Sequence, residues 1–144
     1  MMTVGTKKIL VIDDEPDTRM LLNRRLASYQ YHVLEAADGH SGVEVAKQEQ
    51  VDLIILDVMM PDKDGFQAYE DLRKDPKTQS IPVIFLTALS GNSSLTEHGL
   101  GLMALNKHGI QMDNYFVVLG KPYDPQQLLR EIRRLLGEGN LSAR

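Results

Sequence analysis

Five polar residues of this 144-residue chain stand where short apolar runs break off. Asp13 and Asp14 follow "ILVI", Asp57 follows "LIIL", Thr87 follows "VIFL" and Lys121 follows "VVLG". Adjacent carboxylates repel each other and resist desolvation, so acids at the rim of a hydrophobic sheet are either solvated turn residues or partners of a cation. Each of the five has an ordinary explanation by itself: acids are common in turns and at strand ends, and a lysine before proline suits a surface loop. Together they describe a phosphoryl site with a divalent cation. Crowded carboxylates raise one another's pKa unless a cation neutralises them. Hard oxygen ligands suit Mg²⁺, which takes one or two carboxylates plus phosphate oxygens and keeps waters. A carboxylate can act as a nucleophile and form an aspartyl phosphate. A lysine and a threonine can then hold the phosphoryl oxygens.

That convergence requires elements that bring all five residues to one edge. Ile9–Ile12, Val51–Asp57, Ile81–Thr87 and Asn114–Lys121 are continuous apolar runs, with Tyr31–Ala36 a weaker fifth. Continuous rather than alternating apolarity predicts strands buried on both faces, as in a parallel sheet. Pro82 is tolerable at the start of its strand. Helical segments lie between the strands. Pro16 suits a first turn, with Met20, Leu22, Leu26 and Tyr29 at helical spacing beyond it. Gly42–Gln48 and Phe66–Lys74 follow. In the last helix Asp124 fits the N-cap, Pro125 fits N1 and Gly137 fits C′, with Leu128, Leu129, Ile132, Leu135 and Leu136 as its apolar stripe. Strand and helix alternate five times, which predicts a doubly wound parallel sheet with helices on both faces. In such sheets ligands bind at the carboxyl ends of the strands, where these five residues stand.

Composition excludes several other classes. The apolar fraction of 42% and charged fraction of 25% are those of a globular domain, and a formal net charge of −4 gives no blanket attraction to nucleic acid or anionic membrane. Cysteine is absent, which removes disulfides and thiolate chemistry. His32, His40, His98 and His108 form no ligand cluster in sequence. The basic stretch "LLREIRR" is expected to be the solvated face of the last helix, because its apolar stripe must meet the sheet. No apolar run is long enough to span a bilayer and "MMTVGTKK" lacks the core of a secretory signal, so a cytoplasmic location is expected. The chain is read as one domain over 1–144 with a core over 8–136, leaving no room for a second fold after Leu136.

The spacing of "VIDDEPD", "LIILDVMMPDKDG", "VIFLTA" and "GKPYDPQQLL" closely resembles the receiver domain of two-component response regulators, from Lys8 to Leu136. The resemblance implies a flavodoxin-like five-stranded sheet in the order 2-1-3-4-5. It implies that Asp57 accepts a phosphoryl group from a histidine kinase or phosphotransfer protein. Asp14, Asp57 and the backbone carbonyl of Met59 would ligate Mg²⁺, with Asp13 acting through a water. Thr87, Lys121 and the backbone N–H of Ala88 would contact the phosphoryl group. It also implies a cis bond between Lys121 and Pro122, and it places Met59 and Leu89 at positions that tune dephosphorylation. Signalling would pass to a downstream protein partner or a missing output domain, without direct nucleic-acid or membrane contact; a homodimer is compatible. In "MMPDKDG", Pro61 stiffens the turn and Gly65 is expected to supply positive φ before the next helix.

Two departures from the family stand out. The interval from Thr87 to Lys121 is longer than usual, with an atypical segment over 91–114. Ser94 and Glu97 could form a capping box there, while Gly99 and Gly101 weaken a helix. Ordering of this segment on phosphorylation is one expectation that follows. The second departure is Val118, where the family commonly carries a switch aromatic. The sequence therefore also allows a receiver-like interaction module whose phosphorylation switch is lost. A Mg²⁺ phosphatase of the haloacid-dehalogenase type is disfavoured, because it needs a second acid two positions after the nucleophile, where Met59 stands.

Overall fold

Strand pairing puts the second β-strand at one edge of a five-stranded parallel sheet, in the order β2-β1-β3-β4-β5. The computed structural model describes residues 6–61, 63–87 and 116–138, with Thr87 and Phe116 described by their backbone. The strands are β1 Lys8–Ile12, β2 His32–Ala36, β3 Leu53–Asp57, β4 Val83–Thr87 and β5 Phe116–Gly120. The described helices are α1 Pro16–Ala27, α2 Gly39–Glu49, α3 Gly65–Lys74 and α4 Pro125–Leu135. Expectations for Ala88, Leu89, Ser94, Glu97 and the segment 91–114 lie outside the described residues.

Side-chain alternation divides the core between the two faces. Ile9 and Val11, Leu53 and Ile55, and Ile84 and Leu86 pack with Leu22 and Leu26 of α1 and Leu128, Leu129 and Ile132 of α4. Leu10 and Ile12, Ile54 and Leu56, and Val83 and Phe85 pack with Val43 of α2 and Phe66, Tyr69 and Leu72 of α3. Every residue of β3 is buried, whereas edge strand β2 is only partly so. This explains why the β3 run is continuous in sequence and the β2 run is weak. Fully burying each Leu or Ile contributes about 1.5–3 kcal/mol, so both helix layers are held mainly by these apolar contacts.

Local chemistry sets the helix ends. Pro16 and Pro125 occupy first turns, and the Asp124 side chain accepts from the Gln126 N–H at 3.0 Å. Gly137 takes φ +78° after α4, the left-handed position that glycine adopts without a Cβ clash. Two caps were not anticipated. Asp38 caps α2, which starts at Gly39, three residues before Gly42, by accepting from the Ser41 N–H at 2.8 Å, and Asp64 with Gln67 forms a capping box on α3. Met20 departs from its expected place in an apolar stripe: it is 48% exposed, because α1 meets the sheet through Leu22 and Leu26. Tyr29 falls beyond the end of α1 and packs part-buried against the same face.

Candidate functional site

The site begins with strand register. β1 and β3 are neighbours, and Ile12 pairs with Leu56, so the next residues, Asp13 and Asp57, emerge side by side. Alternation sends Asp13 to the same sheet face as Ile9 and Val11, and Asp57 to that of Leu53 and Ile55. Lys121 follows Val117 and Leu119 on the same face, one strand further along than β4. The chain reverses its winding direction between β1 and β3, so this is the crevice at the topological switch point.

Among the described residues, Asp13, Asp14 and Asp57 each offer a carboxylate oxygen, all within 4.8 Å of one another. Asp13 and Asp57 are buried, at 2% and 5% exposure, while Asp14 is exposed. The Lys121 ammonium donates to Asp13 Oδ2 at 3.1 Å and lies 3.8 Å from Asp57 Oδ1. The Met59 N–H donates to Asp57 Oδ1 at 3.3 Å, and the Glu15 N–H to Asp13 Oδ1 at 2.9 Å. The Lys121–Pro122 bond is cis. The backbone of Thr87 stands beside Gly120 in the β4–β5 register, one residue before Lys121.

Electrostatics follow from that crowding. Burial, then the neighbouring Asp13, push the Asp57 carboxyl up to about 6, against the opposing pull of Lys121 and the Met59 N–H. Burial works against the Lys121 charge, yet Asp57, Asp13 and Glu15 outweigh it and hold the ammonium above its usual range. Both partners of one ion pair therefore move up, since Asp57 is dominated by desolvation and Lys121 by its three acids. Two buried carboxylates and one ammonium leave an excess of negative charge that a hard divalent cation fits, and all the side-chain donors are oxygens.

The structure also shows residues that sequence reasoning did not single out. Arg19 donates from Nη1 to the Asp13 carbonyl at 2.6 Å and from Nε to Glu35 at 3.2 Å. Nothing local in the sequence signals a contact between α1 and β2. Gly65 corrects an expectation: it does not take positive φ. Instead a Cβ there would stand 2.4 Å from the Asp57 carbonyl oxygen and 2.8 Å from the Val58 Cα. The glycine allows the start of α3 to touch the backbone of the strand end. Lys63 pairs with Asp71 of α3, and its stem covers Gly39 at the start of α2. Val118 sits half-buried against the α2–α3 side of the core, in line with Phe85.

Comparison with known proteins agrees with this architecture. The family model for the response regulator receiver domain matches residues 9–133. "Probable transcriptional regulator ycf27" of Cyanophora paradoxa is 41% identical over 94% of this chain and 50% of its own length. The "DNA-binding dual master transcriptional regulator RpaA" of Synechocystis is 40% identical over 90% of this chain and 48% of its own. The chain thus spans about half the length of these curated relatives. Among solved structures, the Vibrio cholerae chemotaxis protein CheY4 superposes with a TM-score of 0.75 at 26% identity, covering 92% of this chain and 100% of that one. The receiver domain of a Pseudomonas aeruginosa sensor histidine kinase, with a magnesium ion coordinated in its active site cleft, gives 0.74 at 26% identity, covering 92% and 99%. Among the described residues no helix is long and apolar enough to cross a membrane. The sheet order, the acidic crevice at its switch point and the family match agree: this chain belongs to the response regulator receiver domain family and serves two-component signalling.

Proposed function

We propose that Asp57 is the phosphoacceptor of this receiver and that Asp13 and Asp14 complete a Mg²⁺ site with it. The carrying observation is the convergence of three carboxylates within 4.8 Å, with Lys121 at 3.1 Å from Asp13 and 3.8 Å from Asp57. Asp14, Asp57 and the Met59 carbonyl would hold the ion, with Asp13 contributing through a water. When bound, Mg²⁺ supplies charge neutralisation for the carboxylates and the incoming phosphoryl oxygens.

The chain's own residues do the rest. An Asp57 carboxylate oxygen attacks phosphorus, the bond from phosphorus to the donor nitrogen breaks, and its electron pair leaves with the donor. Lys121, held beside Asp57 by Asp13, compensates charge on the transferred group. Thr87 and the Ala88 N–H are assigned to its remaining oxygens, consistent with the position of the Thr87 backbone beside Gly120. The donor is a histidine kinase or phosphotransfer protein. The chain contributes by positioning its own acceptor, and it acts on no separate substrate. Output passes through altered protein contacts. RpaA is described as DNA-binding, and any DNA contact of a longer protein is assigned outside these 144 residues, whose net charge of −4 offers no blanket attraction.

The test is incubation with a small phosphodonor and Mg²⁺, read by intact mass. One phosphoryl group should appear on the unaltered chain and be absent in Asp57→Asn and in EDTA. An adduct that persists in Asp57→Asn removes the assignment. A chain that never accepts the group supports a receiver-like interaction module with a lost switch.

A further inference from the structure

We propose that Arg19 is a positioning residue of the phosphoacceptor site. From α1 it locks the acidic turn Asp13–Glu15 against β2, so that Asp13 and Asp14 meet Asp57 at a preset separation. The inference rests on the reading of that crevice as a Mg²⁺ site.

Asp13 is secured at every polar arm, and among the described residues Arg19 supplies the one contact that comes from a helix side chain. The Asp13 N–H donates to the Ala36 carbonyl at 3.1 Å, which prolongs the β1–β2 pairing by one residue. Its Oδ1 accepts from the Glu15 N–H at 2.9 Å and its Oδ2 from Lys121 at 3.1 Å. Its carbonyl accepts from Arg19 Nη1 at 2.6 Å. Because Arg19 bonds to the backbone, it fixes the turn without competing for the carboxylate oxygens that a cation needs.

Arg19 is itself held from two sides. Its Nε donates to Glu35 Oε1 at 3.2 Å, and Glu35 Oε2 accepts from Asn23 Nδ2 at 2.7 Å. Its backbone N–H donates to the Glu15 carbonyl at 3.1 Å, closing the first turn of α1 onto the same loop. The Arg19 side chain is 17% exposed, so most of its length is shielded from water. A planar guanidinium can serve the carbonyl and the carboxylate at once from two nitrogens, whereas a lysine ammonium on a flexible stem cannot reproduce that fork. Outer contacts of this kind orient metal ligands, and removing them lowers metal affinity by about 10–100-fold.

The experiment is calorimetric Mg²⁺ titration of the whole chain without phosphodonor, paired with hydrogen exchange in chelator at the Asp13 and Glu15 amides. Arg19→Ala should weaken Mg²⁺ binding about tenfold. It should also speed exchange at those two amides while the β3 amides stay protected. Arg19→Lys should fail to restore affinity. Glu35→Gln, which keeps the side-chain shape but loses the charge and one of the two acceptor oxygens, should give a smaller loss and serves if Arg19→Ala does not fold. Equal Mg²⁺ affinity in unaltered and Arg19→Ala chains overturns the inference. So does a loss fully rescued by Arg19→Lys, which would mark a packing role. An unaltered chain that binds no Mg²⁺ overturns the site reading and this inference together.

Discussion

The two loops that flank Asp57 are held by opposite means. The β1–α1 turn is held by polar contacts that side chains supply from a distance: Arg19 at the Asp13 carbonyl and Lys121 at its carboxylate. The β3–α3 loop is held mainly by backbone proximity. Gly65 donates its N–H to the Val58 carbonyl at 3.0 Å and leaves no room for a Cβ beside Asp57. Asp64 and Gln67 close the start of α3 reciprocally, and Lys63 lies across Gly39 to reach Asp71. Hydrogen bonds can be weakened by degrees, so the acidic turn should respond to substitution in graded steps. Steric exclusion against backbone has no such middle ground, so the loop should fail abruptly.

The largest effect should come from Gly65→Ala. Its Cβ meets the Asp57 carbonyl and the Val58 Cα, neither of which can rotate away, so destabilisation by about 2–3 kcal/mol is expected. Phosphorylation should fall with it. Urea unfolding measures the first and intact mass the second. A loss below about 1 kcal/mol would mean that this loop is as adaptable as the turn.

Asp57→Asn probes the acid that both loops serve. In chelator the folded-state carboxyl titrates near 6, above its ordinary value near 3.8, because burial and Asp13 disfavour its charge. The native state therefore binds more protons than the unfolded state between these values, and stability falls as pH rises through that window. At pH 7 the full penalty is present, so Asp57→Asn should stabilise the metal-free fold by about 1–2 kcal/mol. The gain should shrink as pH drops from 6 towards 4. Melting curves at pH 4, 5, 6 and 7 check it, and a gain independent of pH would contradict the disfavoured charge of Asp57 as its cause.

Gly39→Ala tests the outer clamp of the β3–α3 loop. The new Cβ would lie 2.9 Å from the Lys63 stem and carbonyl. The stem can move but the carbonyl must shift, so a cost of about 1 kcal/mol is expected, together with a smaller fall in Mg²⁺ affinity than Gly65→Ala produces. Unchanged stability and affinity would confine the steric hold to Gly65.

Met59→Asn should change stability least, because Met59 is 57% exposed. Its effect is kinetic. A thioether cannot orient an attacking water well, whereas an amide offers both donors and an acceptor. On the proposed reading the aspartyl phosphate should be lost faster in Met59→Asn, as followed by intact mass over time. An unchanged or longer lifetime would remove position 59 from the control of that water.

The sequence by itself determined the sheet class, the chemistry of the strand ends and most helix boundaries, because each depends on residues close together in the chain. Continuous apolar runs marked strands covered on both faces, and Pro16, Asp124, Pro125 and Gly137 marked helix ends through their own backbone preferences. The acids after β1 and β3 and the lysine after β5 were legible because strand ends carry ligands in such folds. The sequence was less informative where a residue answers to distant neighbours. Met20 kept helical spacing yet faces outward, because α1 meets the sheet through Leu22 and Leu26. Gly65 was expected for its φ and is needed instead for its missing Cβ, a requirement set by the Asp57 carbonyl eight positions earlier in the chain. Arg19 gave no local sign, since its acceptors at Asp13 and Glu35 are joined only when β2 pairs with β1 and α1 packs across them. Covalent neighbours fix propensity and pattern, but close approach and shared hydrogen bonds exist only once separate segments have been packed together.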